Sequence, residues 1–326
     1  MATSNLGFEF TGPGRMELVE IGVPPSSLPR GHALLQTLCS GVTNGTERHA
    51  LLGEHGWNQF PGRHGYQHVA RVVGVGPETR HLQEGDVLFL GQYVGHRAWN
   101  LVDTSLDCAP GSLSLYIRLP SDSDPVRHAL MGVAGVSVRC ARRIRIAPAE
   151  RVWVAGLGVI GQFAAQAARA FGAHVTVTDP RPERVLIAQE LGAHVAITST
   201  DPDAVERLRK GGPYNAIVDC SGADSILRQI HQDRLLAHGG RIALLAVRSE
   251  TTFPWSMLHG TEASIEVSCH FGADDLRVLL YFMEQGVIRT EPLITHVAPV
   301  EQAPEVYNTL RDRPGDLLGV VFDWRG

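Results

Sequence analysis

Gly156, Gly158 and Gly161 stand in the spacing G-x-G-x-x-G, and Asp179 follows about twenty residues later. Each glycine has its own physical use. The first permits a tight turn, the second lets the backbone approach a pyrophosphate, and the third lets the following helix pack close to a sheet. Val159 and Ile160 open that helix, whose unpaired N–H groups suit an anion. A carboxylate at Asp179 would accept from the 2′-hydroxyl of an NAD ribose and repel the 2′-phosphate of NADP. Arg181 and Arg184 follow it closely and keep NADP open as the less favoured cofactor. The alternative is a plain glycine turn with an acid that caps a helix.

The glycines need a strand before them and a helix after them, and the sequence supplies both. Val152, Trp153 and Val154 favour a buried, pleated strand over 151–155. Five alanines between Ala164 and Ala170 favour a helix that stops at Gly172. A second strand over 174–178 ends in Asp179. Further strands are expected at 194–197, 215–219, 241–247 and 264–268, with helices that include 183–191 and 204–209. Strands alternating with helices predict an α/β, doubly wound parallel sheet.

The flanking regions read differently. Residues 1–124 are rich in Gly, Pro and short β-prone runs at 33–38, 69–75 and 86–90. Turn signals at Pro24-Pro25, Gly85-Asp86 and Pro110-Gly111 separate them, as in a mainly β domain. A helical crossover at 125–145 opens the nucleotide-binding region, 125–270. The stretch 271–326 is too long for a final element of that sheet. Its helices at 274–285 and 300–310 and its strand at 318–322 are expected to return to the first domain.

Composition narrows the function classes. The 326 residues carry a net charge of −5 with no long basic run, which argues against nucleic acid as a partner. Arg139, Arg142, Arg143 and Arg145 form the densest basic group and read as a solvated helix face. Lys210 is the only lysine, so Schiff-base chemistry elsewhere is excluded. The five cysteines are scattered without C-x-x-C, the start lacks a signal-peptide pattern, and no apolar stretch is long enough to span a membrane. A cytoplasmic protein with reduced thiols and no membrane contact is expected. His64 and His68 are four apart, but in a loop-to-strand segment that spacing does not put them on one face. Structural or solvent-facing roles are expected for both.

Five stretches, in this order, resemble the medium-chain dehydrogenase/reductase superfamily: SGVTNGTE from Ser40; PGRHGYQHVARVVGVG from Pro61, followed by Gly85-Asp86-Val87; the glycine motif with Asp179; VDCSG from Val218; and PLITH from Pro292. The resemblance implies a GroES-like β-rich substrate domain, a Rossmann domain, a cleft between them, and a homodimer paired through the last Rossmann strands. It also implies a departure. Where zinc members carry a Cys, this chain has Asn44. Where they carry His-Glu after a glycine, it has Tyr66-Gln67, and no Cys, His or Glu occurs near Met131–Val133, where a third ligand would fall. Only Cys108 stands where a four-cysteine lobe would be. Zinc needs three or four such donors in tetrahedral reach, so neither catalytic nor structural zinc is expected. The zinc-less pattern is most similar to the bacteriochlorophyllide hydroxyethyl dehydrogenase branch.

The same resemblance implies the site. Thr46 and His49 match the hydroxyl and histidine of the superfamily's proton relay. Tyr66, at the vacated ligand position, becomes the candidate donor to a substrate oxygen, a task that its free pKa of about 10 suits. The alternative is an aromatic residue filling the vacated site. Asn44 could add an amide donor, Glu47 is expected to orient a neighbour or pair with an arginine, and Tyr93 and His96 either line the entrance or belong to a loop. Ser221 and Gly222 are expected near the nicotinamide ribose, Ala246 and Val247 offer backbone groups to the nicotinamide amide, and His270 could reach the cleft. The expected activity is zinc-independent, NAD(H)-dependent interconversion of a secondary alcohol and a ketone, with a small molecule as substrate. A reductase of activated C=C or C=N bonds and a non-catalytic NAD-binding scaffold are the rivals.

Overall fold

A computed structural model of the chain describes residues 4–54, 56, 59–104 and 115–326. Cys108 and the Pro110-Gly111 turn lie outside the described residues. The chain forms two compact units. Residues Met1–Gly132, Gly272–Arg277 and Ile294–Gly326 make the first; Val133–Phe271 and Val278–Leu293 make the second.

The first unit begins with an antiparallel pair, β1 (Leu6–Gly12) and β2 (Arg15–Glu20). Then come β3 (His32–Gly41), helix α1 (Asn44–Leu52), β4 (His68–Val75), β5 (Val87–Gly91), β6 (Trp99–Asp103), β7 (Leu115–Arg118) and the short α2 (Pro125–His128). Strand β3 is the hub, pairing antiparallel with both β4 and β6. The motif at Ser40–Glu47 is therefore not all loop: it passes from the end of β3 into α1. The expected crossover at 125–145 is two helices, α2 and α3 (Met131–Arg143).

The second unit is built on β8 (Arg151–Ala155), α4 (Val159–Ala170), β9 (His174–Asp179), α5 (Pro182–Glu190), β10 (Val195–Thr198), α6 (Ala204–Gly211), β11 (Tyr214–Asp219), α7 (Ile226–Gln232), β12 (Leu236–Leu244), α8 (Trp255–His259) and β13 (Ser264–Val267). The six strands are all parallel, in the order β10-β9-β8-β11-β12-β13. That is the doubly wound order 3-2-1-4-5-6, whose ligands bind beyond the carboxyl ends of the strands. Val152 and Val154 are fully buried, as expected for a central strand covered on both faces. Helices α7 and α8 lack a clear expectation in the sequence. Strand β12 starts five residues before the expected 241 and ends at Leu244, so Ala246 and Val247 lie beyond it.

The end of the chain supplies α9 (Ala273–Glu284), β14 (Ile294–Pro299), α10 (Ala303–Asp312) and β15 (Gly319–Asp323). Strand β15 pairs with β3 and with β14, which completes the seven-stranded sheet of the first unit. The joint is aromatic. Phe8 meets Phe322 edge-on at 4.9 Å, and Phe10 meets Tyr307 at 5.2 Å. Residues 278–293 instead count with the second unit. The fold is α/β, with a GroES-like β-rich unit and a doubly wound Rossmann unit. No helix among the described residues is long and apolar enough to cross a membrane.

Candidate functional site

In the second unit the three glycines behave as three different constraints. Gly156 has φ +88°, a region that L side chains rarely adopt. A Cβ on Gly161 would lie 1.8 Å from the Gly156 carbonyl oxygen, so α4 seats against the turn only because residue 161 has none. A Cβ on Gly158 would meet nothing within 4 Å. Gly158 is also the N-cap of α4, and no side chain caps that end. The first N–H groups, of Val159, Ile160 and Gly161, precede the first intrahelical bond, from Gln162 N–H to Gly158 O.

These elements border a cavity of about 530 Å³ whose lining includes Gly156, Gly158, Asp179, Arg181, Arg184 and Ser221. Asp179 is buried at the end of β9. Its Oδ2 accepts from Leu157 N–H at 2.6 Å and its Oδ1 from Arg181 N–H at 2.9 Å. The acid therefore fixes the glycine turn to the neighbouring strand. A carboxylate has about four acceptor positions, so two remain for ligand hydroxyls. Arg184 is half-buried; burial pulls its pKa down and the adjacent Asp179 opposes that pull.

On the other side of β8, Asp219 ends β11 fully buried. Its Oδ1 accepts from Ser221 N–H at 2.9 Å, from the Ser221 hydroxyl at 2.7 Å and from Gly222 N–H at 3.2 Å. The Ser221 hydroxyl proton is thus already in use. Asp219 Oδ2 forms an ion pair with Arg248, and the Asp219 carbonyl accepts from the N–H groups of Leu245 and Ala246. Sequence reasoning missed Arg248. The available signal was an acid at the end of one apolar strand and an arginine shortly past the end of another. His270 is nearly buried and stacks on Phe271 at 4.2 Å; burial and Arg139 push its pKa down to about 4, so it is neutral near pH 7.

In the first unit α1 is held by a buried polar cluster. Glu47 Oε1 accepts from Thr43 N–H at 2.7 Å, the residue just before α1. Glu47 Oε2 accepts from the Tyr307 hydroxyl and lies 3.1 Å from His96 Nε2. His96 Nδ1 is 2.8 Å from the Ser40 hydroxyl, which also accepts from the Trp324 indole N–H at 2.8 Å. Of the two expectations for Glu47, orienting neighbours fits these bonds better than an arginine pair, and His96 is buried in a loop. Burial alone would raise the pKa of Glu47. The His96 charge, with hydrogen bonds from His96, Thr43 and Tyr307, outweighs it and holds the carboxyl below its ordinary 4.5. The matching burial and the facing carboxylate push the Tyr307 phenol well above 10. Cluster members lie 49 and 260 residues from Glu47, so no local spacing announces them.

The remaining candidates separate. Asn44 Nδ2 donates to the carbonyls of Leu317 and Leu318 at 3.2 and 3.0 Å. These bonds close the start of α1 on the C-terminal segment and occupy the amide that the sequence offered as a donor to substrate. His49 bonds Glu54 through Nδ1 in the last turn of α1, and Thr46 is half-buried on the same helix. Tyr66 is 3 % exposed, with its ring 4.8 Å from that of Tyr93. A Cβ on Gly132 would lie 2.8 Å from Tyr66 Cε2 and 2.7 Å from Gln67 Oε1, so that glycine makes room for both. Gln67 donates to the Gly41 carbonyl and the Thr43 hydroxyl. His64 stacks on Phe10 at 5.0 Å, and His68 donates through Nε2 to the Gly95 carbonyl at 3.2 Å.

The donor set does not fit zinc. Asn44, Tyr66 and Gln67 supply no thiolate, imidazole or carboxylate. Burial pushes the thiols of Cys39 and Cys140 up to about 12, and among the described residues no three His, Cys, Asp or Glu side chains converge. The cavity beside α4, by contrast, fits a dinucleotide. It has an uncapped helix N-terminus, an open glycine and a fixed acid at the topological switch point. Together they define an α/β dinucleotide-binding protein.

Comparison with known proteins makes the class more particular. A family model described as zinc-binding dehydrogenase matches residues 159–285, a segment that excludes Asn44, Tyr66 and Gln67. L-galactonate-5-dehydrogenase of Escherichia coli (strain K12) is 26 % identical over 310 residues, 88 % of this chain and 89 % of that protein. Sorbitol dehydrogenase of Ovis aries is 25 % identical over 353 residues, 99 % and 98 % of the two chains. The crystal structure of L-idonate 5-dehydrogenase from Escherichia coli str. K-12 substr. MG1655 superposes with a TM-score of 0.85 at 17 % identity, covering 99 % of each chain. The superfamily these findings support is that of the medium-chain dehydrogenases/reductases, and the chain is an NAD(P)-dependent dehydrogenase or reductase of that type. They give no support to the closer similarity to the bacteriochlorophyllide hydroxyethyl dehydrogenase branch or to a zinc-less branch.

Two outcomes follow from this geometry. Gly161→Ala should cost about 1–3 kcal/mol of stability through overpacking against Gly156. Gly158→Ala should leave the melting temperature unchanged but weaken NADH binding. Thermal melts and fluorescence titration of both variants check the pair, and an unchanged NADH affinity in Gly158→Ala would end the pyrophosphate reading. The second concerns acid. Because the folded-state pKa of Glu47 is depressed, its stabilisation is complete above 4.5 and is lost as pH falls through the lower folded value. Glu47→Gln should lose roughly 3 kcal/mol at pH 7 and show a flatter acid limb than the parent. Urea melts across a pH series measure this, and parallel curves would mean that Glu47 is not ionised in the fold.

Proposed function

We propose that this protein is a zinc-independent, NAD(H)-dependent oxidoreductase that interconverts a secondary alcohol and a ketone by hydride transfer. The observation that carries the cofactor part is the uncapped α4 N-terminus beside Gly158, facing a cavity bounded by the buried Asp179. Bound there, NAD supplies or accepts the hydride. The N–H groups of Val159, Ile160 and Gly161 hold the pyrophosphate, with Gly158 allowing its approach. Asp179 accepts from ribose hydroxyls with the positions that Leu157 and Arg181 leave open. Ser221, Gly222, Ala246 and Val247 stand at the strand ends that the superfamily resemblance gives to the nicotinamide half.

The substrate class rests on relatives whose names refer to dehydrogenation of sorbitol and L-galactonate, both polyhydroxylated molecules. Zinc independence rests on donor chemistry. In place of a metal that lowers the pKa of the alcohol, a side chain must take or give the oxygen-bound proton. Tyr66 fills that role: in ketone reduction its phenol O–H donates to the carbonyl oxygen. Thr46 and His49 belong to a relay that returns the proton. The homodimer forms through edge strand β13, near which Trp255 and Val267 are 72 % and 65 % exposed.

A second reading has its own observation. Arg181 and Arg184 line the cavity beside Asp179 and suit a 2′-phosphate, which would favour an NADPH-dependent reductase of C=C or C=N bonds. Two measurements separate the readings. Elemental analysis with NADH and NADPH titration should return no stoichiometric zinc and a preference for NADH that Asp179→Ala abolishes. Bound zinc removes the metal-free mechanism, and tighter NADPH binding promotes the second reading. Tyr66→Phe should cut turnover about a hundredfold with NADH affinity unchanged, the size of effect typical of losing a general acid. Undiminished turnover would make Tyr66 a packing residue.

A further inference from the structure

The ion pair between Asp219 and Arg248 has no place in the hydride-transfer scheme above, yet it is deeply buried in the second unit. The Asp219 side chain is fully buried and that of Arg248 is 13 % exposed. Asp219 gathers two segments of chain. Through Oδ1 it holds Ser221 and Gly222 just past β11, and through its carbonyl it holds Leu245 and Ala246 just past β12. Its Oδ2 takes Arg248, whose Nε also reaches the Ala246 carbonyl at 3.4 Å. Val247, between Ala246 and Arg248, is 61 % exposed.

We propose that Arg248 is a positioning residue for the nicotinamide half of the cofactor, locking the Ala246–Val247 backbone to the Ser221–Gly222 turn through Asp219. The inference rests on the NAD(H)-binding reading of this unit. A buried carboxylate without its cation is costly, so the pair forces the segment after β12 to stay against the end of β11. The lock spans β11 and β12. Asp179, Gly158 and the start of α4 stand on the other side, around β8 and β9. Loss of the lock therefore affects one half of a dinucleotide and spares the other. Binding then has to order Ala246–Val247 at the expense of affinity.

The test uses Arg248→Gln and Arg248→Lys in the full chain, with NADH and ADP-ribose as probes, both titrated against the parent. Arg248→Gln should weaken NADH by about tenfold, the scale of re-ordering one or two residues on binding, with ADP-ribose affinity within about twofold of the parent. Arg248→Lys keeps the cation without the planar fork and should recover part of the NADH affinity. Equal weakening of NADH and ADP-ribose would make the pair a general stability element and overturn the proposal, as would unchanged NADH binding in Arg248→Gln. Should that variant not fold, Arg248→Lys alone decides by the same split between the two probes. A parent protein that binds neither probe would instead remove the cofactor reading itself.

Discussion

The approach of α4 to the end of β8 is the constraint on which the second unit depends. The Gly156 carbonyl occupies the space in which any side chain at position 161 would begin. Because residue 161 has no Cβ, the helix axis comes close enough for its first N–H groups to face the ends of the parallel strands. Because Gly156 accepts a positive φ, the chain can turn there within two residues. The acids then follow. Asp179 reaches the turn from β9 through Leu157 N–H, and Asp219 braces the next turn from β11. Two buried carboxylates on either side of β8, each accepting from two backbone N–H groups, tie the strand ends to the turns beside them.

In the first unit, charge is handled by burial of a complete network. Glu47, His96, Ser40, Tyr307 and Trp324 satisfy one another at the junction of β3, α1 and the C-terminal segment. A half-satisfied version would be worse than an apolar core, since each orphaned group would bear its full desolvation cost. The network holds α1 and the start of the Asn44–His49 stretch in place. Nearby, the Asn44 and Gln67 amides bond backbone carbonyls and the Tyr66 ring lies beside that of Tyr93, at the positions that the superfamily resemblance matches to metal ligands.

Much of the fold is legible along the chain because its signals are local. Glycine spacing, alanine-rich helix and alternating apolar runs gave the parallel sheet and its helices to within a few residues. Errors fell where the signal is weak. The strand expected at 241–247 begins at Leu236, since His238, Gly239 and Gly240 break its apolar pattern. Helix α1 was hidden inside a motif read for its chemistry, and α7 and α8 are short enough to lack periodicity.

The candidate site divides in the same way. The sequence by itself determined the glycine turn, the acid at Asp179, the absence of thiolate, imidazole and carboxylate at Asn44, Tyr66 and Gln67, and the α/β class. Each is a matter of residue type at a fixed spacing, and spacing survives folding. Only the tertiary structure decided that Glu47 pairs with His96 and Tyr307, that the Asn44 amide closes on Leu317 and Leu318, and that Arg248 neutralises Asp219. Those partners come from strands and helices distant in the chain, and a buried polar group takes whichever complementary group the packing brings within about 3 Å.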